Sequence, residues 1–163
     1  MILRITSTLI FATLVTASNA YAQVRTVRDI PTALAVEAVA AAVADCSSKG
    51  YNVTGIVVDR AGQLKALQRA DNAGPHSIDS SRKKAYTALT TKNSTTRLME
   101  NTQKNPAAAN LVFINDFIAL GGGVPIQVEG ETIGAIGIGG APGGNLDEQC
   151  AEAGIAKIKD RLK

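Results

Sequence analysis

Hydrophobic positions along this chain change period several times, and each change predicts an element. From Pro31 to Lys49, Leu34, Ala35, Ala38, Val39, Ala42, Val43 and Cys46 recur at three- and four-residue spacing, which is one face of a helix. Thr32 is placed to cap it and Gly50 to end it. The runs "YNVTGIVVD" and "QLKALQR", rich in Val, Ile and Leu, flank Asp59-Arg60-Ala61-Gly62 and predict an antiparallel hairpin. After the loop "ADNAGPH", a helix is expected from Ser77 or Asp79 to about Thr91, with Ile78, Ala85 and Leu89 on its apolar side and Lys83 and Lys84 pointing elsewhere. A short helix over Thr95 to Gln103 stops before Pro106. "FINDFIAL" reads as a strand, and "GGGVPIQVEGETIGAIGIGG" as a hairpin split at Glu129-Gly130-Glu131. The last helix opens at Asn145 with Glu148 three residues on, a capping-box spacing, and carries Leu146, Cys150, Ala151, Ile155, Ile158 and Leu162 on one arc.

The order is helix, hairpin, helices, strands, helix. Tight turns between strands make the sheet antiparallel, so the expected fold class is α+β: a two-layer domain with a sheet of about five strands flanked by helices.

The first 22 residues form a different pattern. One charge at Arg4, an apolar run from Leu9 to Val15 and the close Ala20-Tyr21-Ala22 are the marks of a secretory signal with an A-x-A cleavage site. The run is well short of the roughly 20 residues that span a bilayer, so stable membrane insertion is not expected. Residues 23–163 are then read as one domain of 141 residues in the periplasm or outside the cell, long enough to bury a core. Its 16 basic and 14 acidic side chains are too balanced to imply nucleic acid.

Both cysteines, Cys46 and Cys150, remain after cleavage. Each lies on the apolar arc of its helix, which predicts a disulfide in an oxidising compartment; two separate buried thiols are the alternative. A zinc set is not expected with one histidine and no C-x-x-C. "GIGGAPGG" fails as a dinucleotide loop, because the third glycine of the motif would fall on Pro142. No G-x-S-x-G elbow exists, and no catalytic residue is assigned.

Two stretches, "VTGIVVDRAGQLKALQRADNAGPHSIDSSRKKAYTA" and "GGGVPIQVEGETIGAIGIGGAPGGNLDEQCAEAGI", resemble the GlcG/HbpS haem-binding family, which includes the C-terminal domain of PduO-type proteins. The resemblance spans residues 31 to 158. It implies an antiparallel sheet flanked by helices, haem as cofactor and assembly into homo-oligomers. His76, the one histidine, is the candidate axial ligand to haem iron; a surface loop residue is its other reading. Arg82, Lys83 and Lys84 are candidates for the haem propionates or, equally, a solvated helix face. Tyr86 is a further ligand or pocket-wall candidate, with core packing the more ordinary role. The function expected is storage, sensing or delivery of haem by an exported protein. The alternative is an accessory or enzyme-like protein of a catabolic pathway that binds another small molecule.

Overall fold

The computed structural model describes residues 23–163, and the expected signal segment, residues 1–22, lies outside them. The elements are α1 (Thr32–Ser48), β1 (Thr54–Asp59), β2 (Leu64–Arg69), α2 (His76–Thr91), α3 (Thr95–Lys104), a 3₁₀ segment (Pro106–Phe113), β3 (Gly123–Val128), β4 (Glu131–Gly139), α4 (Gly144–Ile158) and a closing 3₁₀ turn (Lys159–Arg161). The strands form one sheet in the order β2-β1-β4-β3, with every neighbouring pair antiparallel. The α+β class and the element order are as the periodicity predicts.

Both hairpins close by turn chemistry visible in the sequence. Asp59 Oδ1 accepts hydrogen bonds from the Ala61 and Gln63 amides, each at 2.9 Å, the local carboxylate-to-backbone closure that Asp favours. Between β3 and β4, Glu129 and Gly130 both have positive φ, 49° and 80°, as a two-residue turn matched to strand twist requires.

The layering differs from expectation. Along β1, Gly55 and Val57 face α1, while Thr54, Ile56 and Val58 face α2. The main core joins Val57, Ile136 and Ile138 to Val39, Val43 and Ala151 of α1 and α4, and a second cluster joins Ile56, Val58 and Ala135 to Ala85 and Ala88 of α2. The sheet is thus covered on both faces, in three layers instead of two. Continuous apolar runs such as "GIVV" and "IGAIGIG" are the mark of strands buried on both sides.

"FINDFIAL" is not a strand, and the sheet has four strands where about five were expected. Asp116 adopts a left-handed φ of 63° and the Phe117 amide bonds back to the Ile114 carbonyl, which turns the chain. The segment then runs beside α2, where the Ile118 amide donates to Thr87 Oγ1 at 3.0 Å. Two helix starts also differ. Pro31, not Thr32, occupies the α1 cap position, and α4 begins at Gly144 after Gly143, not at Asn145. Glu148 makes no capping box. It accepts instead from the amide and hydroxyl of Thr96, and so caps α3 from α4.

Cys46 and Cys150 are bonded to each other, with Cα atoms 5.6 Å apart and both residues fully buried. The bridge fastens the end of α1 to α4 where Gly154 brings the two helices together: a Cβ at Gly154 would stand 2.5 Å from the Ala38 carbonyl oxygen.

Candidate functional site

The start of α2 is held from below. Ser77 Oγ donates to the Gly74 carbonyl at 2.6 Å and is 2.7 Å from Thr54 Oγ1, and Ser81 Oγ donates to the Thr54 carbonyl at 2.8 Å. Arg69 of β2 reaches the Ala73 carbonyl, and Pro75, at φ −60° and ψ −32°, leads straight into the helix. His76 is the first residue of α2, its side chain exposed above these fixed contacts. Its backbone is set while its imidazole faces water.

One turn on, the charges are already engaged. Lys83 Nζ lies 2.7 Å from Asp79, and the Arg82 guanidinium lies 3.2 Å from Asp79 and 2.6 Å from Asp116. Lys83 and then Arg82 hold the Asp79 carboxyl below its ordinary value, and Arg82 does the same for Asp116. All four side chains are at least one-third exposed, so the pairs are loose and exchangeable. His76, Asp79 and Lys83 fall along one side of α2 at three- and four-residue spacing.

Lys84 is not part of this surface. It is 2% exposed, with Nζ donating to Asp147 Oδ2 at 2.7 Å and to the Ile138 carbonyl at 3.0 Å. Asp147 also accepts from the Ala141 amide at 3.0 Å. Burial pushes the Asp147 carboxyl up from its ordinary value, against the pull of Lys84 and the nearby amides. The glycines at 121–123 make room for the pair: a Cβ on Gly122, whose φ is 119°, would stand 2.7 Å from Asp147 Cβ and 3.0 Å from Lys84 Nζ. Lys84 therefore has a structural partner and is withdrawn from any propionate.

Tyr86 sits ten residues after His76, about 15 Å further along the helix axis at 1.5 Å per residue. It is 38% exposed, so it is no core residue, and it lines a cavity at the opposite end of the sheet. The structure brings His76 near the Asp79–Lys83 surface and separates it from Lys84 and Tyr86. The sequence reading missed Asp79, Asp116 and Asp147. Asp79 was legible from its three- and four-residue spacing to Arg82 and Lys83; the other two are joined to α2 only by the fold.

Among the described residues no group of three His, Cys, Asp or Glu side chains could hold a metal ion, and no helix is long and apolar enough to cross a membrane.

Comparison with known proteins bears on the whole of this frame. The model of the family described as "Haem degrading protein HbpS-like" matches residues 30–156. A 15.0 kDa protein of Citrobacter freundii is 35% identical over 86 residues, which cover 52% of this chain and 61% of that protein, under two-thirds of its length. A crystal structure of a double mutant of Streptomyces reticuli HbpS superposes with a TM-score of 0.78 at 35% identity, covering 86% of this chain and 97% of that one. A structure of a PduOC:haem complex superposes with a TM-score of 0.74 at 26% identity, covering 80% and 95%.

Proposed function

The chain belongs to the HbpS-like family, and from that membership we propose that it binds haem, with His76 supplying an axial nitrogen to the iron. The observation that carries the reading is the similarity, over 80% of the chain, to a relative whose structure was solved with haem. The residues present offer a ligand and cations to such a group. An exposed imidazole stands on a backbone held by Ser77, Ser81 and Arg69, and a neutral imidazole is an ordinary haem ligand. Arg82 and Lys83 are the nearby cations suited to propionates, and Asp79 and Asp116 are the carboxylates that a propionate displaces. Bound haem would supply an iron centre and a flat apolar surface; the chain supplies the nitrogen, the cations and the fixed helix start.

We further propose that the protein is exported, that its mature form begins near Gln23, and that it stores, senses or delivers haem outside the cytoplasm. The buried Cys46–Cys150 bridge supports an oxidising compartment. N-terminal sequencing of the protein recovered from a periplasmic fraction tests this, and a chain still carrying residues 1–22 would overturn it. Self-association is supported by the exposed apolar run Val112, Phe113 and Ile114, with Phe113 81% exposed; a monomer mass by light scattering at micromolar concentration would contradict it. For haem binding itself, hemin titrated into the mature protein should give a Soret difference spectrum that saturates at one haem per chain, whereas a linear, unsaturable rise would count against the proposal.

A further inference from the structure

At the end of the sheet away from His76, three elements border a half-open cavity of about 360 Å³: the β1–β2 turn, the C-terminus of α2 and the start of β4. Its volume falls within the roughly 300–1,000 Å³ of small-molecule sites. Tyr86 and Leu89 form an apolar wall, and Arg60, Lys92, Glu131 and Thr132 supply polar groups.

The wall is fixed by the fold. Gly62, at φ 79°, lies under the Tyr86 ring, and a Cβ there would stand 2.5 Å from Tyr86 Cε2. A glycine needed for the turn thus also seats the ring while leaving it partly exposed. Arg60 is fixed as well, because its guanidinium pairs with Glu131 across the two hairpin turns. That pair consumes the charge of Glu131 but not every Arg60 donor, since a guanidinium carries five N–H groups. Lys92, exposed at the left-handed cap of α2, adds a second cation. Two cations and one carboxylate leave the lining with a single net positive charge.

We propose that this cavity binds a small aromatic monocarboxylate, its ring against Tyr86 and Leu89 and its carboxylate between Lys92 and the free edge of Arg60. One negative charge matches the lining, and a flat body matches the seated ring. The site is separate from the haem surface on α2 and does not depend on it.

Benzoate is the probe, titrated into the full mature chain without haem and followed by amide resonances. Saturable shifts are expected at Gly62, Tyr86 and Thr132, with binding in about the millimolar range for so small a ligand. Lys92→Gln should weaken binding about threefold to fivefold, the scale of a partly exposed ion pair. Tyr86→Leu should weaken benzoate more than cyclohexanecarboxylate, while Tyr86→Phe leaves both bound. No saturation at tens of millimolar, equal binding of benzylamine, shifts centred on His76, or a Lys92→Gln variant that binds as the parent does would each overturn the proposal.

Discussion

Lys84 shows how far a single residue's neighbours decide its role. In the sequence it stands beside Arg82 and Lys83 as one of three cations; in the fold it is the one turned inward, with a buried carboxylate at 2.7 Å. Lys84→Met would strand the Asp147 carboxylate in the interior, and breaking such a pair costs about 3–5 kcal/mol. Urea denaturation should show that loss, and Lys84→Met combined with Asp147→Leu should recover much of it; an unchanged midpoint for the single variant would contradict the account. Asp79 and Asp116 act on the outer side of α2 with a definite pH sign. Their carboxyls are held below the ordinary 3.8, so the unfolded chain binds protons more readily than the folded one in that range. The stability they contribute is present above about pH 4 and is lost as pH falls through their lowered values. Asp147, raised by burial, works in the opposite direction, its contribution being lost as pH rises above its unfolded value. The double variant Asp79→Asn/Asp116→Asn should therefore lose less stability than the parent between pH 4 and pH 2, as read by thermal unfolding; an equal loss would remove these two carboxylates from the explanation.

At the level of elements, spacing along the chain was legible and facing was not. The end of α1 and the bounds of α3 and both hairpins follow from apolar period, turn residues and Pro106. The face of α2 does not. Ile78, chosen for the core by hydrophobicity, is 41% exposed, while Ser77, Ser81 and Lys84 are buried. Those polar groups are tolerated because Thr54, Ile138 and Asp147 supply their hydrogen bonds, and no one-dimensional pattern contains such partners. Close approach is the other reason: a Cβ on Gly137 would collide with the Ser81 carbonyl oxygen and stand 2.5 Å from the Ala85 amide nitrogen. Both obstacles are helix backbone, which cannot rotate aside. Gly137→Ala should thus cost about 1–3 kcal/mol, the scale of core overpacking, and should move the amide signals of Ser81 and Ala85 in an NMR spectrum. A variant as stable as the parent would mean that α2 does not lie so near the sheet.

For the molecule as a whole, the disulfide is the covalent tie between the two ends of the domain, joining α1 to α4. Its 104-residue separation corresponds to about 4–5 kcal/mol in the chain-entropy model, with the two helices it joins on one face of the sheet. Cys46→Ala/Cys150→Ala should lower stability by about 2–5 kcal/mol, and thiol titration of the unreduced, unfolded parent should find no free thiol; two thiols per chain would exclude the bond. Cysteine placement on two apolar arcs made this pairing legible, whereas the third layer required noticing that β1 and β4 are apolar on both sides. The candidate site was legible only in part: His76, Arg82 and Lys83 are named from the sequence and its family resemblance, Lys84, named with them, is buried against Asp147, and Asp116 reaches Arg82 from 34 residues away. The proposed ligand to haem iron is the imidazole at the start of α2. Resonance Raman and absorbance spectra of hemin with the parent and with His76→Ala test this directly. Loss of the iron–imidazole signature, a shifted Soret band and weaker binding in the variant are the predicted result, and identical spectra with identical affinity would contradict it.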